Sequence, residues 1–310
     1  MTTAPILLCP GQGAQAVGMG RAWHDASPAA AAVFAEADTI LGDSLGSPLS
    51  RLCFDGPVEV LNTTRASQPA LYTAAVASHR ALIEASADTA ENLRAPAATA
   101  GLSLGEYTAL HLAGALSFAD GLRLVALRGQ AMQDAADANP SSMVALIGAD
   151  EDRARFVCDQ ARGDGILVCA NFNAPGQVVL SGDLEACDRA LAAAEAAGLR
   201  ATKLAVAGAF HSPLMQPAAD RLRDALASTT INDPACPVLS NVTAQPHTTP
   251  DEIRSRLAAQ LTQPVRWADC CKWLIAHVPG EMHELAPGKT LAGLMRRIDR
   301  AAKVTTHDTP

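Results

Sequence analysis

A predicted strand over Ala97–Leu102 runs straight into Gly101-Leu102-Ser103-Leu104-Gly105, and a predicted helix follows from about Leu104 to Ala113. A GxSxG pentad turns up by chance in a chain this long with odds of roughly one in ten, so the pentad alone decides little. The strand before it and the helix after it decide more. A strand that must turn at once into a helix needs a sharp backbone bend, and flanking glycines permit both the bend and the close approach of neighbouring elements. A serine on that bend stands at a helix N-terminus, where the dipole favours negative charge on its oxygen. The plain alternative is a serine N-cap in a tightly packed turn.

The elements around this pentad extend the same pattern. Pro5–Cys9 is a short apolar run that stops at Pro10-Gly11-Gln12-Gly13, as a buried strand ending in an amide-rich loop does. Gln68–Ser86 has a helical apolar side made by Leu71, Ala75, Ala77, Leu82 and Ile83, and Phe118–Ala138 repeats it with Leu122, Val125, Leu127 and Met132. Strand, helix, strand, helix predicts a largely parallel sheet covered by helices, an α/β fold.

The rhythm changes after residue 140. Met143–Gly148 reads as a strand, Glu151–Arg162 as a helix, Ile166–Asn171 and Gln177–Ser181 as strands joined by Ala174-Pro175-Gly176. Leu184–Ala197 is a helix and Ala201–Val206 a last strand. This β-α-β-β-α-β order is ferredoxin-like. It predicts a subdomain over 141–206 inserted into a larger α/β domain built from 1–140 and 207–310. Val304–Pro310 reads as a polar, frayed end.

Composition narrows the function classes. Hydrophobic residues make up 49% and charged ones 18%, enough for a substantial core and against disorder. Charges such as Arg80, Arg123 and Arg128 interrupt every run long enough to span a bilayer, and the N-terminus lacks the basic start of a secretory signal. A cytoplasmic chain with no membrane partner is expected. The net charge of −8 argues against nucleic acid, though an acidic protein can still dock on a local basic patch. The eight cysteines form no CxxC pair, so no metal site is expected and the thiols read as reduced, buried small residues.

A serine hydroxyl needs a base. Of eight histidines, His24, His79, His111 and His277 lie in helical stretches, His247 and His307 in polar segments, and His283 before a loop. His211 differs: Gly208 and Pro213 bracket it where the chain leaves the predicted insert.

With these residues in view, the chain resembles the malonyl-CoA:acyl carrier protein transacylase family of fatty acid synthesis. The stretches that carry the resemblance are CPGQGAQ at 9–15, SQPAL at 67–71, GLSLGEYTAL at 101–110, RGQAMQ at 128–133, GAFHSPLM at 208–215, QLTQPVRW at 260–267 and APGKTLAGLMRRI at 286–298. They keep the family's order and span nearly the whole chain. The resemblance implies an α/β-hydrolase-like core with a ferredoxin-like insert. It implies Ser103 as nucleophile, His211 as its base, and the backbone carbonyl of Gln260 as the group that orients His211. It implies backbone amides of Gln12 and Leu104 as an oxyanion hole and Arg128 as the partner of the malonyl carboxylate, although pattern alone reads Arg128 as an exposed helix cation. Phe210, beside the base, corresponds to a position linked to malonyl rather than methylmalonyl selection. Leu102 stands where many bacterial members have histidine.

The resemblance also implies malonyl-CoA as substrate, an acyl carrier protein as partner, no cofactor and a monomer. Two other readings stand beside it. A serine thioesterase of the α/β-hydrolase type would place Asp or Glu between Ser103 and His211 as a third member, and Asp183 and Glu185 lie in that interval. A carrier-binding module without catalysis would not need both Ser103 and His211. Finally, Arg296, Arg297, Arg300 and Lys303 form a basic cluster that either steers an acidic carrier or complements a helix C-terminus.

Overall fold

The structure, a computed structural model, describes residues 4–85 and 90–310. Its strands fall into two separate four-stranded sheets. The first holds β1 (Ile6–Cys9), β2 (Ala98–Gly101), β7 (Met282–Leu285) and β8 (Val304–His307), all parallel, in the order β2-β1-β7-β8. Ile6, Leu7, Leu8 and Cys9 are fully buried, as expected of a parallel strand covered on both faces. The second sheet holds β3 (Ser141–Ile147), β4 (Leu167–Ala174), β5 (Gln177–Asp183) and β6 (Arg200–Lys203), all antiparallel, in the order β4-β5-β3-β6.

Two helices bury one face of the second sheet, Glu151–Arg162 between β3 and β4 and Leu184–Ala196 between β5 and β6. Each begins at an aspartate that caps it. Asp150 accepts from the Arg153 amide at 2.9 Å and Asp183 from the Ala186 amide at 2.8 Å. Val144, Leu146, Val157, Leu167, Leu180 and Ala190 form a core of this unit's own.

Around the parallel sheet, Thr64–Ala85 and Phe118–Ala138 are the two longest helices and pack on each other. Ala70, Ala74, Ala75 and Ala77 line the buried part of the first, so its backbone comes close to its neighbours. The helix expected from Gln68 begins four residues earlier; Ser86, its expected end, lies outside the described residues. Among the described residues no helix is long and apolar enough to cross a membrane.

Three expectations need correction. Val304–Pro310 is not frayed: Val304–His307 pairs with β7, the Trp23 indole donates to the His307 carbonyl at 3.0 Å, and the Gly288 amide donates to Asp308 at 2.6 Å. Polar side chains on a half-exposed edge strand leave no apolar alternation to read. The last strand of the insert stops at Lys203 rather than Val206, because pairing with β3 ends there. His247, expected in a polar segment, is buried, with Nε2 2.8 Å from Glu106.

Candidate active site

The pentad is shaped by what its glycines approach. A Cβ on Gly101 would lie 1.9 Å from the Gly105 carbonyl carbon, and one on Gly105 would lie 2.2 Å from the Cys9 carbonyl oxygen. Strand, elbow and helix therefore touch backbone to backbone. Ser103 between them has φ 52°, in the left-handed region that side-chain-bearing residues rarely occupy. Asn241 holds it there: its Oδ1 accepts from the Ser103 amide at 2.6 Å and its Nδ2 donates to the Gly101 carbonyl at 2.8 Å. Helix Gly105–Leu112 starts at once, so Ser103 stands at its N-terminus.

His211 is also left-handed, with φ 57°, and side chains of the second sheet pin its loop. Ser141 Oγ accepts from the Ala209 amide at 3.0 Å and Ser181 Oγ donates to the Phe210 carbonyl at 2.6 Å. His211 Nδ1 lies 2.7 Å from the Gln260 carbonyl oxygen. A carbonyl only accepts, so Nδ1 carries the proton and Nε2 presents its lone pair to Ser103 Oγ, 2.9 Å away. Burial first, and the Arg128 cation second, lower the His211 pKa from 6.5 to about 4, against the opposing pull of the Gln260 carbonyl. The imidazole is therefore neutral near pH 7.

Arg128 is 1% exposed, not the surface cation that pattern alone reads. It lies on the face of Phe118–Ala138 turned to the interior. Nη1 donates to Gln68 Oε1 at 2.7 Å, and Nη2 donates to Ser103 Oγ at 3.0 Å and to Gln260 Oε1 at 2.9 Å. The guanidinium lies over the Tyr107 ring, 5.6 Å from its centroid. Its Nε is buried without a hydrogen-bond partner among the described residues.

A cleft of about 410 Å³ opens onto Ser103 and His211 between the two sheets. Gln12, Met132, Asn171 and Phe210 are among the residues that line it, and Leu104 directly follows Ser103. The structure thus brings Ser103, His211, Arg128, Gln260, Gln12, Leu104 and Phe210 to one place. Asp183, weighed as a third triad member, instead caps Leu184–Ala196 and accepts from the Ile166 amide.

Behind the elbow lies a polar layer that reading the sequence did not find. Glu106 is fully buried and accepts from the Asn241 amide at 3.0 Å, from Gln260 Nε2 at 2.6 Å and from His247 Nε2 at 2.8 Å. Its position in the first turn of a helix reads as a dipole complement, and its partners lie more than 130 residues away, beyond any local signal.

The chain matches the acyl transferase domain family over residues 6–306. It is also 42% identical over 290 residues to the malonyl CoA-acyl carrier protein transacylase of Escherichia coli (strain K12), across 93% of this chain and 91% of that protein. The chain belongs to the malonyl-CoA:acyl carrier protein transacylase family. The solved transacylase of Coxiella burnetii agrees across this family fold with a TM-score of 0.93 at 38% identity, covering 100% of this chain and 95% of that one. A malonyl-transacylase solved in complex with a type II polyketide acyl-carrier protein gives 0.91 at 37% identity, covering 99% and 97%. Both relatives are matched over nearly the whole of this transacylase, so the likeness takes in both sheets.

Proposed function

We propose that the chain transfers malonyl from malonyl-CoA to the phosphopantetheine thiol of an acyl carrier protein, supplying fatty acid synthesis. The carrying observation is Arg128: a buried cation bonded to the nucleophile, with no carboxylate touching it among the described residues. A carboxylate entering a pocket beside Ser103 must lose water, and a fixed cation offsets that cost.

In this reading Ser103 Oγ attacks the thioester carbonyl while His211 Nε2 takes its proton. The amides of Gln12 and Leu104 hold the tetrahedral oxygen, an effect worth roughly 3 kcal/mol per donor. His211 then returns the proton to the leaving coenzyme A sulfur, leaving malonyl esterified to Ser103. The carrier thiol next gives its proton to His211 and attacks the ester; Ser103 departs and is reprotonated. The Gln260 carbonyl keeps Nδ1–H oriented in both halves, the work a carboxylate does in a Ser-His-Asp triad. No cofactor is needed, since nucleophile, base and cation are all side chains, and a monomer suffices because all come from one chain.

The same proposal takes the core, 1–140 and 207–310, as α/β-hydrolase-like and 141–206 as a ferredoxin-like insert. Support comes from the strand–elbow–helix on a parallel sheet and from the β4-β5-β3-β6 order of the second. A cytoplasmic setting without a membrane partner belongs to it as well.

The test is partition of the acyl group. With malonyl-CoA and a carrier protein bearing its thiol, transfer should outpace release to water. Hydrolysis that matches or exceeds transfer would return the chain to the thioesterase reading.

A further inference from the structure

Every hydrogen-bond acceptor that the structure gives Arg128 is uncharged: Gln68 Oε1, Ser103 Oγ and Gln260 Oε1. The third of these acceptors is itself held by a buried anion. Gln260 Nε2 donates to Glu106 Oε2 at 2.6 Å and to the Ser103 carbonyl at 3.0 Å, while Oε1 of the same amide faces Arg128. The amide has only one orientation that fits. Flipped, its oxygen would face two oxygens and its NH2 would face a guanidinium, neither of which is a hydrogen bond. Glu106 is suited to hold that orientation because an ionised carboxylate only accepts. Three donors converge on it, from Asn241, His247 and Gln260.

We infer that Glu106 is a positioning residue for acyl selection: through the Gln260 side chain it holds the Arg128 guanidinium against Ser103, where an acyl carboxylate is read. This rests on the reading of Arg128 given under the proposed function. Glu106→Gln keeps the shape but brings an NH2 group among three donors. Where that NH2 group faces His247, the ring can accept it as the other tautomer, and Gln260 loses only the charge behind its bond; where it faces Gln260, Gln260 loses its acceptor. Gln260 regains a bond only by flipping, which turns its NH2 toward Arg128. Gln260→Met removes the same link yet keeps the backbone carbonyl that orients His211.

The experiment compares kcat/KM for malonyl-CoA and acetyl-CoA in the full-length wild type, Glu106→Gln, Gln260→Met, the double variant and Arg128→Ala. The rate at which phenylmethylsulfonyl fluoride modifies Ser103 is measured alongside, because this neutral reagent needs the nucleophile and base but no cation. Glu106→Gln and Gln260→Met should each lower the malonyl-to-acetyl ratio about tenfold or more, the scale of one charge-assisted hydrogen bond. The double variant should fall no further than the worse single one, since both act through one link. Sulfonylation of Glu106→Gln should stay within about threefold of wild type. An unchanged ratio in both single variants, with a collapsed ratio in Arg128→Ala, overturns the inference and leaves the reading of Arg128 standing. Equal losses for both acyl groups and for sulfonylation make Glu106 a support of the elbow alone. If Arg128→Ala itself keeps the ratio, the reading of Arg128 fails first and takes the inference with it. Should Glu106→Gln not fold, Gln260→Met decides.

Discussion

Arg128 Nη2 and Ser103 Oγ lie 3.0 Å apart, so the cation touches the atom that attacks in the proposed mechanism. An acyl group on Ser103 therefore begins within reach of the guanidinium, and a carboxylate two carbons along can take both of its Nη groups. Lysine cannot present two parallel donors in this way. Arg128→Ala should lower kcat/KM for malonyl transfer by at least about 2 kcal/mol, or about thirtyfold. Acetyl transfer should fall far less, or rise. Steady-state kinetics with the two coenzyme A esters measure both, and equal losses would make Arg128 a support of the fold.

Arg128 also shapes the pH dependence, through His211. With its pKa lowered to about 4, His211 stays neutral from about pH 5 upward, so kcat/KM should be flat there and fall only as pH drops through about 4. Arg128 is one cause of the depression, so Arg128→Ala should move this acid limb upward. A wild-type limb between pH 6 and 7, or one that Arg128→Ala leaves in place, contradicts this account. The sign for stability is the same: the folded pKa lies below the unfolded 6.5, so His211's contribution is complete above about pH 6.5 and is lost as pH falls toward 4. The buried His79, lowered to about 4 mainly by burial, adds in the same direction.

Phe210 is 5% exposed, lines the cleft and immediately precedes the base. In the proposed reading, a ring there crowds a branched α-carbon. Phe210→Ser should raise methylmalonyl relative to malonyl transfer by about 1–3 kcal/mol, the usual worth of one methyl group. A competition assay with the two esters reads the ratio directly; an unchanged ratio removes Phe210 from selection.

How much of this was legible depended on how local each signal is. The elbow is local: Gly101, Ser103 and Gly105 fall within five consecutive positions, so the sequence shows both the sharp bend and the glycines that admit it. The insert is local too, since helices 151–162 and 184–196 start at capping aspartates within a regular alternation of strands. Arg128 was ambiguous, because helix periodicity does not say which face meets the interior once another long helix covers it. Glu106, Asn241, His247 and the Gln260 side chain were invisible, for they meet only after β2, Gly105–Leu112 and the segments near 241 and 260 have packed together. The edge strand Val304–His307 was lost for a different reason: half-exposed, it carries Thr305 and Thr306 where a buried strand would carry aliphatic residues.

Arg296, Arg297, Arg300 and Lys303 are exposed on and just after helix Thr290–Ile298, and none has a carboxylate partner among the described residues. Arg297 instead donates to Gln177 Oε1 at 2.9 Å, across to the antiparallel sheet. Unpaired cations on an acidic chain steer an acidic carrier mainly through the association rate. Replacing Arg296 and Arg297 with alanine should raise KM for carrier protein, more at low salt, and leave KM for malonyl-CoA unchanged. A carrier KM that neither the substitutions nor salt alters would return the cluster to complementing the helix C-terminus.

The central claim is a malonyl ester on Ser103 formed by the Ser103–His211 pair. Intact mass spectrometry after brief exposure to malonyl-CoA, without carrier protein, tests it most directly. The account predicts one added malonyl mass in the wild type, loss of that mass on adding carrier thiol, and no addition in Ser103→Ala. A malonyl mass that persists in Ser103→Ala, or a wild type that transfers malonyl without ever carrying it, would contradict the account.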